Sequence, residues 1–159
     1  MRKGQMSSAC PWVDMQLLTE AGSPPQGLMW ELGTGYFSAR TPDGHLDRDE
    51  FRRKAQMDEV KAITIKISQG AKPGHGGMLP AAKVTPEIAE TRGVPMGEDC
   101  ISPSRHPAFS TPVEMMAFVA QLRELSGGKP AGFKLCVGSR TEFLAICKAM
   151  LETGITPDF

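Results

Sequence analysis

The chain reads as an α/β protein built on a parallel sheet. Two observations predict this. Through the second half, extended apolar segments alternate with amphipathic helical ones, the pattern of consecutive βαβ units with right-handed crossovers. The stretch Ile63-Thr64-Ile65-Lys66-Ile67-Ser68 then alternates β-branched and polar residues, as a strand does, before opening into Gln69-Gly70-Ala71-Lys72-Pro73-Gly74-His75-Gly76-Gly77. A strand that runs into a glycine-rich loop is how α/β proteins present backbone N–H groups to an anion or cofactor. A surface turn that only needs flexibility is the other reading of the same residues. Alternation alone does not choose between a closed barrel and an open sheet.

Taken in order, residues 1–27 read as an irregular leader, with Ser7-Ser8, Cys10-Pro11, Pro24-Pro25 and one short helix at Trp12–Glu20. Met29 to Phe37 reads as a buried strand interrupted by Gly33 and Gly35, where a bulge or a close approach to a ligand is expected. Thr41-Pro42-Asp43-Gly44 is a turn. Asp47 to Met57 is a charged helix with Phe51 and Ala55 on one face, and Val60 to Ser68 is the strand described above. Thr85-Pro86 starts a short helix through Ile88, Ala89 and Arg92 that stops at Gly93. Asp99 to Ser102 is a short strand, and Thr111-Pro112-Val113-Glu114 is a capping box. The helix it opens carries Val113, Met116, Ala117, Ala120 and Leu125 at helical spacing and ends at Gly127-Gly128, with Met115 and Met116 as packing residues. Gly132 to Val137 is a further strand. Ser139 to Glu142 is a second capping box for a helix presenting Phe143, Ile146, Cys147 and Met150, closed by Gly154.

The 159 residues are enough for one ordinary domain, and carry 18 basic and 18 acidic side chains. That balance sets up no field for nucleic acid or an anionic membrane. Four cysteines occur (Cys10, Cys100, Cys136, Cys147), without CxxC or zinc spacing. This favours a reduced, cytoplasmic setting. No apolar run approaches the ~20 residues of a membrane-spanning helix.

The longer word Lys66-Ile67-Ser68-Gln69-Gly70-Ala71-Lys72-Pro73-Gly74-His75-Gly76-Gly77-Met78-Leu79-Pro80, followed by Lys83-Val84-Thr85-Pro86, is far more specific than its parts. With Asp99-Cys100-Ile101-Ser102-Pro103, Phe109-Ser110-Thr111-Pro112, Leu125-Ser126-Gly127-Gly128-Lys129-Pro130 and Gly132-Phe133-Lys134-Leu135-Cys136-Val137-Gly138, it resembles the synthase domain of glutamate synthases, nearest to the shorter FMN-binding glutamate synthase-like proteins. The resemblance runs from about Leu28 to Phe159. It implies a partial (β/α)8 TIM barrel with parallel strands, since a whole barrel takes about 250 residues. It also implies an oxidoreductase that condenses ammonia with 2-oxoglutarate and reduces the imine to glutamate with FMN.

By the same resemblance, Gln69, Lys72 and Arg92 bind 2-oxoglutarate and Lys134 contacts the flavin. Spacing alone instead favours Lys72 as a solvated loop lysine, Arg92 as a helix-end arginine and Lys134 as a strand-end lysine reaching water. His75 stands where the long enzymes often carry an acid, so its role stays open. His106 matches a histidine of the family's S-P-P-x-H word, with Ser104 in place of the second proline, and is assigned no chemistry. The three closely spaced cysteines of the long enzymes have no counterpart, so no iron–sulfur cluster is expected, and Met1-Arg2-Lys3 does not begin a glutaminase domain. The flavin-contacting and phosphate-binding segments on either side are missing or unrecognisable. The alternative expectation is therefore a non-catalytic barrel fragment, self-associating through unpaired edges and holding no flavin alone.

Overall fold

A four-stranded sheet carries the fold, in the order β1 (Met15–Leu18), β2 (Gly27–Leu32), β3 (Val60–Lys66), β6 (Ala131–Lys134). The computed structural model describes residues 15–18, 27–67 and 76–159. β3 pairs in parallel with β2 on one side and with β6 on the other, as βαβ units require. The β2–β3 ladder shifts register at Leu28/Met29, and from there Glu31 lies opposite Thr64 and Lys66 opposite Lys134.

Alternation along these strands separates two faces. Trp30, Leu32, Ile63, Ile65 and Ala131 fall on one face and are essentially inaccessible. Burying a large apolar side chain of this kind contributes roughly 1.5–3 kcal/mol. The main core joins them to Phe51 and Ala55 of α1 (Arg48–Ala55), to α3 (Pro112–Leu125), and to Ile146 and Ala149 of α4 (Arg140–Thr153). Phe51 stacks on Trp30 with centroids 5.0 Å apart. Glu31, Thr64, Lys66 and Lys134 alternate onto the opposite, polar face.

A smaller unit lies between β3 and α3. β4 (Met78–Leu79) pairs antiparallel with β5 (Cys100–Ile101), and α2 (Pro86–Arg92) packs a small core of Val84, Ala89 and Cys100. The Thr85 hydroxyl caps α2 and Pro86 opens it, while Gly93 closes it in the left-handed region at φ 63°. Residues 156–159 run beside β6. The Asp158 N–H donates to the Ala131 carbonyl at 3.0 Å, and the Asp158 carboxylate accepts from the Ala131 N–H at 2.7 Å and from Arg123 at 2.8 Å.

Several expectations need correction. Met15–Leu18, inside the stretch read as a short helix, is a strand antiparallel to β2. Pairing with an open strand edge overrides the weak local helical pattern. The strand expected over Met29 to Phe37 stops at Leu32, because the chain turns back: the Tyr36 N–H donates to the Gly33 carbonyl, and Tyr36 and Ser38 take positive φ of 49° and 70°. β6 ends at Lys134, where its partner β3 also ends. On α3 the buried stripe is Met115, Met116, Phe118, Val119, Leu122 and Leu125, which leaves Val113 and Ala117 exposed. The larger side chains take the core-facing side and the alanines are displaced from it. On α4, Ile146 and Ala149 are buried, Cys147 and Met150 half-buried, and Phe143 exposed. Ser139 caps α4 by accepting from the Glu142 N–H, without the reciprocal glutamate bond seen at α3. Among the described residues no helix is long and apolar enough to cross a membrane.

Candidate functional site: a cationic cavity at the strand ends

β2 and β3 both deliver their C-terminal ends to one cavity of about 300 Å³. Gly33, Thr34 and Gly35 follow β2 directly, Lys66 closes β3, and Arg92 arrives from the last turn of α2. Two cations and no carboxylate line it among the described residues. A parallel sheet places its ligand sites at this end of its strands.

Arg92 is held unusually. Its Cζ lies 4.8 Å from the centroid of the Phe37 ring, and Nη1 donates to the Cys100 Sγ at 3.7 Å. Its Nε is buried and has no hydrogen-bond partner among the described residues. A buried N–H left unpaired costs roughly 1–3 kcal/mol. A planar fork that lacks an acidic partner suits a carboxylate.

Lys66 connects the cavity to the polar face of the sheet. Its Nζ lies 3.5 Å from Glu31 Oε1, and the Lys134 Nζ bonds the other oxygen of the same carboxylate. Glu31 is only 6% exposed, so its charge is buried but doubly paired. Lys134 is half exposed and lies outside the cavity lining. Arg92 and Lys134, both expected at the site, are thus not gathered in one pocket: Arg92 lines the cavity with Lys66, and Lys134 meets Lys66 only through their shared partner Glu31. Gln69, Lys72 and His75 lie outside the described residues.

His106 occupies a position no spacing argument identified. Its Nε2 lies 2.8 Å from the Lys66 carbonyl, which can only accept, so Nε2 carries the proton. Nδ1 then accepts from the Tyr36 hydroxyl at 3.2 Å, and that hydroxyl accepts from the Ala108 N–H at 3.3 Å. The ring is 4% exposed and stacks on Phe109 with centroids 5.0 Å apart. Burial holds the His106 pKa below the usual histidine value and pushes the Tyr36 phenol up to about 12. This network fixes the loop after β2 against the end of β3, and so shapes the cavity from behind.

Glu31, Lys66 and Tyr36 were missed by sequence reasoning. The available signal was an acid embedded in the apolar strand Met29-Trp30-Glu31-Leu32, which demands a cationic partner. Alternation along β3 puts Lys66 on the face of Thr64, where that partner would have to stand. The described cysteines are free, with Cys100 buried, Cys147 half-buried and Cys136 exposed. Among the described residues no group of His, Cys, Asp and Glu is placed to hold a metal ion.

Comparison with known proteins fits this geometry into a family. The conserved region in glutamate synthase matches residues 27–155. A glutamate synthase large subunit-like protein of Bacillus subtilis (strain 168) is 39% identical over 132 residues, 83% of this chain and 25% of that protein. An archaeal-type glutamate synthase [NADPH] of Thermotoga sp. (strain RQ2) is 43% identical over 80 residues, 50% of this chain and 16% of its own length. An archaeal glutamate synthase [NADPH] of Methanocaldococcus jannaschii is 47% identical over 72 residues, 45% of this chain and 14% of its own. The chain spans a quarter or less of the length of these relatives. The match across the strands, the cavity and both flanking helices shows that the chain belongs to the family of the conserved region in glutamate synthase, as a partial glutamate synthase-like domain.

Proposed function

We propose that residues 28–159 form an arc of a (β/α)8 barrel in an FMN-dependent, glutamate synthase-type oxidoreductase, to whose edge Met15–Leu18 of the preceding stretch adds the antiparallel strand β1. The reaction is the reductive amination of 2-oxoglutarate by ammonia to glutamate. The observation that carries this reading is Arg92, whose buried Nε has no partner among the described residues, in a cavity that those residues line with two cations and no carboxylate. The substrate is a dicarboxylate, and the cavity offers it a fork and a point charge. Gln69 and Lys72 join in this reading as further substrate ligands. They belong to the segment connecting Lys66 to Gly77, both of which line the cavity.

Each residue has a task in this scheme. Arg92 pairs with one substrate carboxylate and, with Lys72, neutralises the dianion so that the keto carbon is held at a defined distance from its wall. Glu31 keeps Lys66 and Lys134 on the polar sheet face. Lys134 fits one contact with the flavin, because its ammonium is half exposed at the end of β6 and already oriented by Glu31. Reduced FMN, when bound, supplies the hydride that converts the imine to the amine. The electron donor is left open by these residues.

A second reading is a barrel piece that binds no flavin alone. It is favoured by one observation: Leu144 and Leu151 on α4 stand 51% and 86% exposed, so an apolar helix face lacks cover. Arg92→Ala tests the substrate assignment directly. Calorimetric titration of 2-oxoglutarate should show binding weakened at least about tenfold, the scale of a lost charge-assisted hydrogen bond. Equal affinity in variant and wild type would remove Arg92 from the site.

A further inference from the structure

We propose that Phe37 and Cys100 are positioning residues that hold the Arg92 guanidinium in its cavity, and so set how tightly the cavity takes a carboxylate ligand. The inference rests on the reading of Arg92 as a substrate-binding residue.

An arginine on a flexible stem loses rotamer freedom when it captures an anion, and one restrained beforehand loses less. The usual restraint is a carboxylate. Arg52, Arg53 and Arg123 are each held that way, donating to Asp49, Glu50 and Asp158 at 2.8 Å. A carboxylate restraint also offsets the charge that an anionic ligand would use. Among the described residues Arg92 is restrained without one: its Cζ faces the Phe37 ring at 4.8 Å, and Nη1 meets the Cys100 Sγ at 3.7 Å. The aromatic face attracts the cation through its quadrupole, and the sulfur is a weak acceptor. Nε is left buried and unpartnered among the described residues.

Both restraints are themselves fixed. A Cβ at Gly35 would come within 2.8 Å of Cε2 and Cζ of Phe37, so the ring lies against the backbone of that glycine. Cys100 is 3% exposed and sits in β5, in register with Leu79 of β4. The ring and the thiol come from different segments, the loop after β2 and strand β5, and both line the cavity with Arg92. The restrained side chain therefore keeps its charge for a ligand and spends little freedom in binding it.

The test uses the full 159-residue chain and the Nε–H resonance of Arg92, assigned by its loss in Arg92→Ala. Hydrogen exchange at Nε is measured without ligand, and 2-oxoglutarate is then titrated. Phe37→Tyr, which keeps the aromatic face, should exchange and bind like the wild type. Phe37→Leu, which keeps apolar bulk, should exchange faster and bind about tenfold more weakly, the effect of a lost cation–π contact. Cys100→Ser should shift the resonance with a smaller loss of affinity. Gly35→Ala displaces the ring without removing it and gives the same comparison if Phe37→Leu does not fold. Exchange as slow in Phe37→Leu or Gly35→Ala as in the wild type overturns the proposal, as does equal damage from Phe37→Tyr and Phe37→Leu in chains of unchanged thermal midpoint. If Arg92→Ala leaves 2-oxoglutarate affinity intact, the substrate reading fails, while the exchange data still decide whether Phe37 and Cys100 hold the side chain.

Discussion

His106 joins three segments through two ring nitrogens, and its protonation state decides whether they stay joined. The neutral ring donates from Nε2 to the Lys66 carbonyl and accepts at Nδ1 from Tyr36. A protonated ring would put a second N–H against a hydroxyl that must then give up its own donation. Desolvation holds the folded-state pKa below 6.5, so the unfolded chain binds this proton more readily. The contribution of His106 is therefore complete above about pH 6.5 and is lost as pH falls below it, at roughly 1.4 kcal/mol per pH unit at the steepest. Glu50, held down to about 2 chiefly by Arg53, titrates far below that window. Urea denaturation at pH 7.5 and 5.5 should show stability falling with acidification in the wild type. In His106→Gln it should be lower at pH 7.5 and nearly flat between the two. A slope of the same size in His106→Gln would assign the effect to other groups. Tyr36 belongs to the same argument. A non-glycine residue at φ 49° costs on the order of 1–3 kcal/mol, and its hydroxyl, hydrogen-bonded on both sides, helps to keep it there.

At the scale of elements, helix ends are the most local feature of the chain. Thr111 accepts from the Glu114 N–H at 3.2 Å, while the Glu114 carboxylate accepts from the N–H groups of Ser110 and Thr111 at 2.7 and 3.1 Å. Those bonds, led by the Ser110 backbone, also hold the Glu114 carboxyl below its usual pKa. Thr111→Ala should destabilise the chain by about 1 kcal/mol, read from the urea midpoint, with Thr111→Ser restoring most of it. An unchanged midpoint would mean that α3 is held by packing alone. Such caps were legible in the sequence because donor and acceptor lie within four residues. The same holds for Thr85, Gly93, Gly154 and the Phe51–Ala55 face. The parallel strands were legible from alternation, but their ends were not, since β6 stops where β3 stops and Gly33 begins a turn set by Tyr36. β1 and the Lys66–Glu31–Lys134 cluster depend on partners dozens of residues away, and no local pattern states such pairings. Arg92 could be named from the motif. Its confinement between Phe37 and Cys100 needed the fold.

The whole molecule buries one face of its sheet completely and covers its helices unevenly. Trp30, Ile63, Ile65 and Ala131 vanish under α1, α3 and α4, yet α4 turns Phe143, Leu144 and Leu151 outward, with Val137 beside its start. Isolated exposed apolar side chains are ordinary, but several on one helix make a patch that water covers at a cost of roughly 25 cal/mol per Å². In a longer relative, the neighbouring parts of the protein would be expected to cover such a face. The 159-residue chain on its own has no such cover to offer from its described residues, so a second copy is the nearest apolar partner. Sedimentation of the purified chain should therefore show self-association that strengthens with concentration. Replacing Leu144 and Leu151 together by lysine should shift the chain toward monomer while leaving the thermal midpoint within a few degrees, since exposed substitutions rarely exceed about 0.5 kcal/mol each. The same preparation, freed of loose flavin, should be colourless. Among the described residues Lys134 is the cation assigned to the flavin, and it is already bonded to Glu31. Those two results stand or fall separately. A monomeric wild type at high concentration would show that α4 needs no cover. A yellow chain with stoichiometric FMN would show that these residues, with the segments flanking them in the chain, are enough to hold the cofactor, and the second reading would be withdrawn.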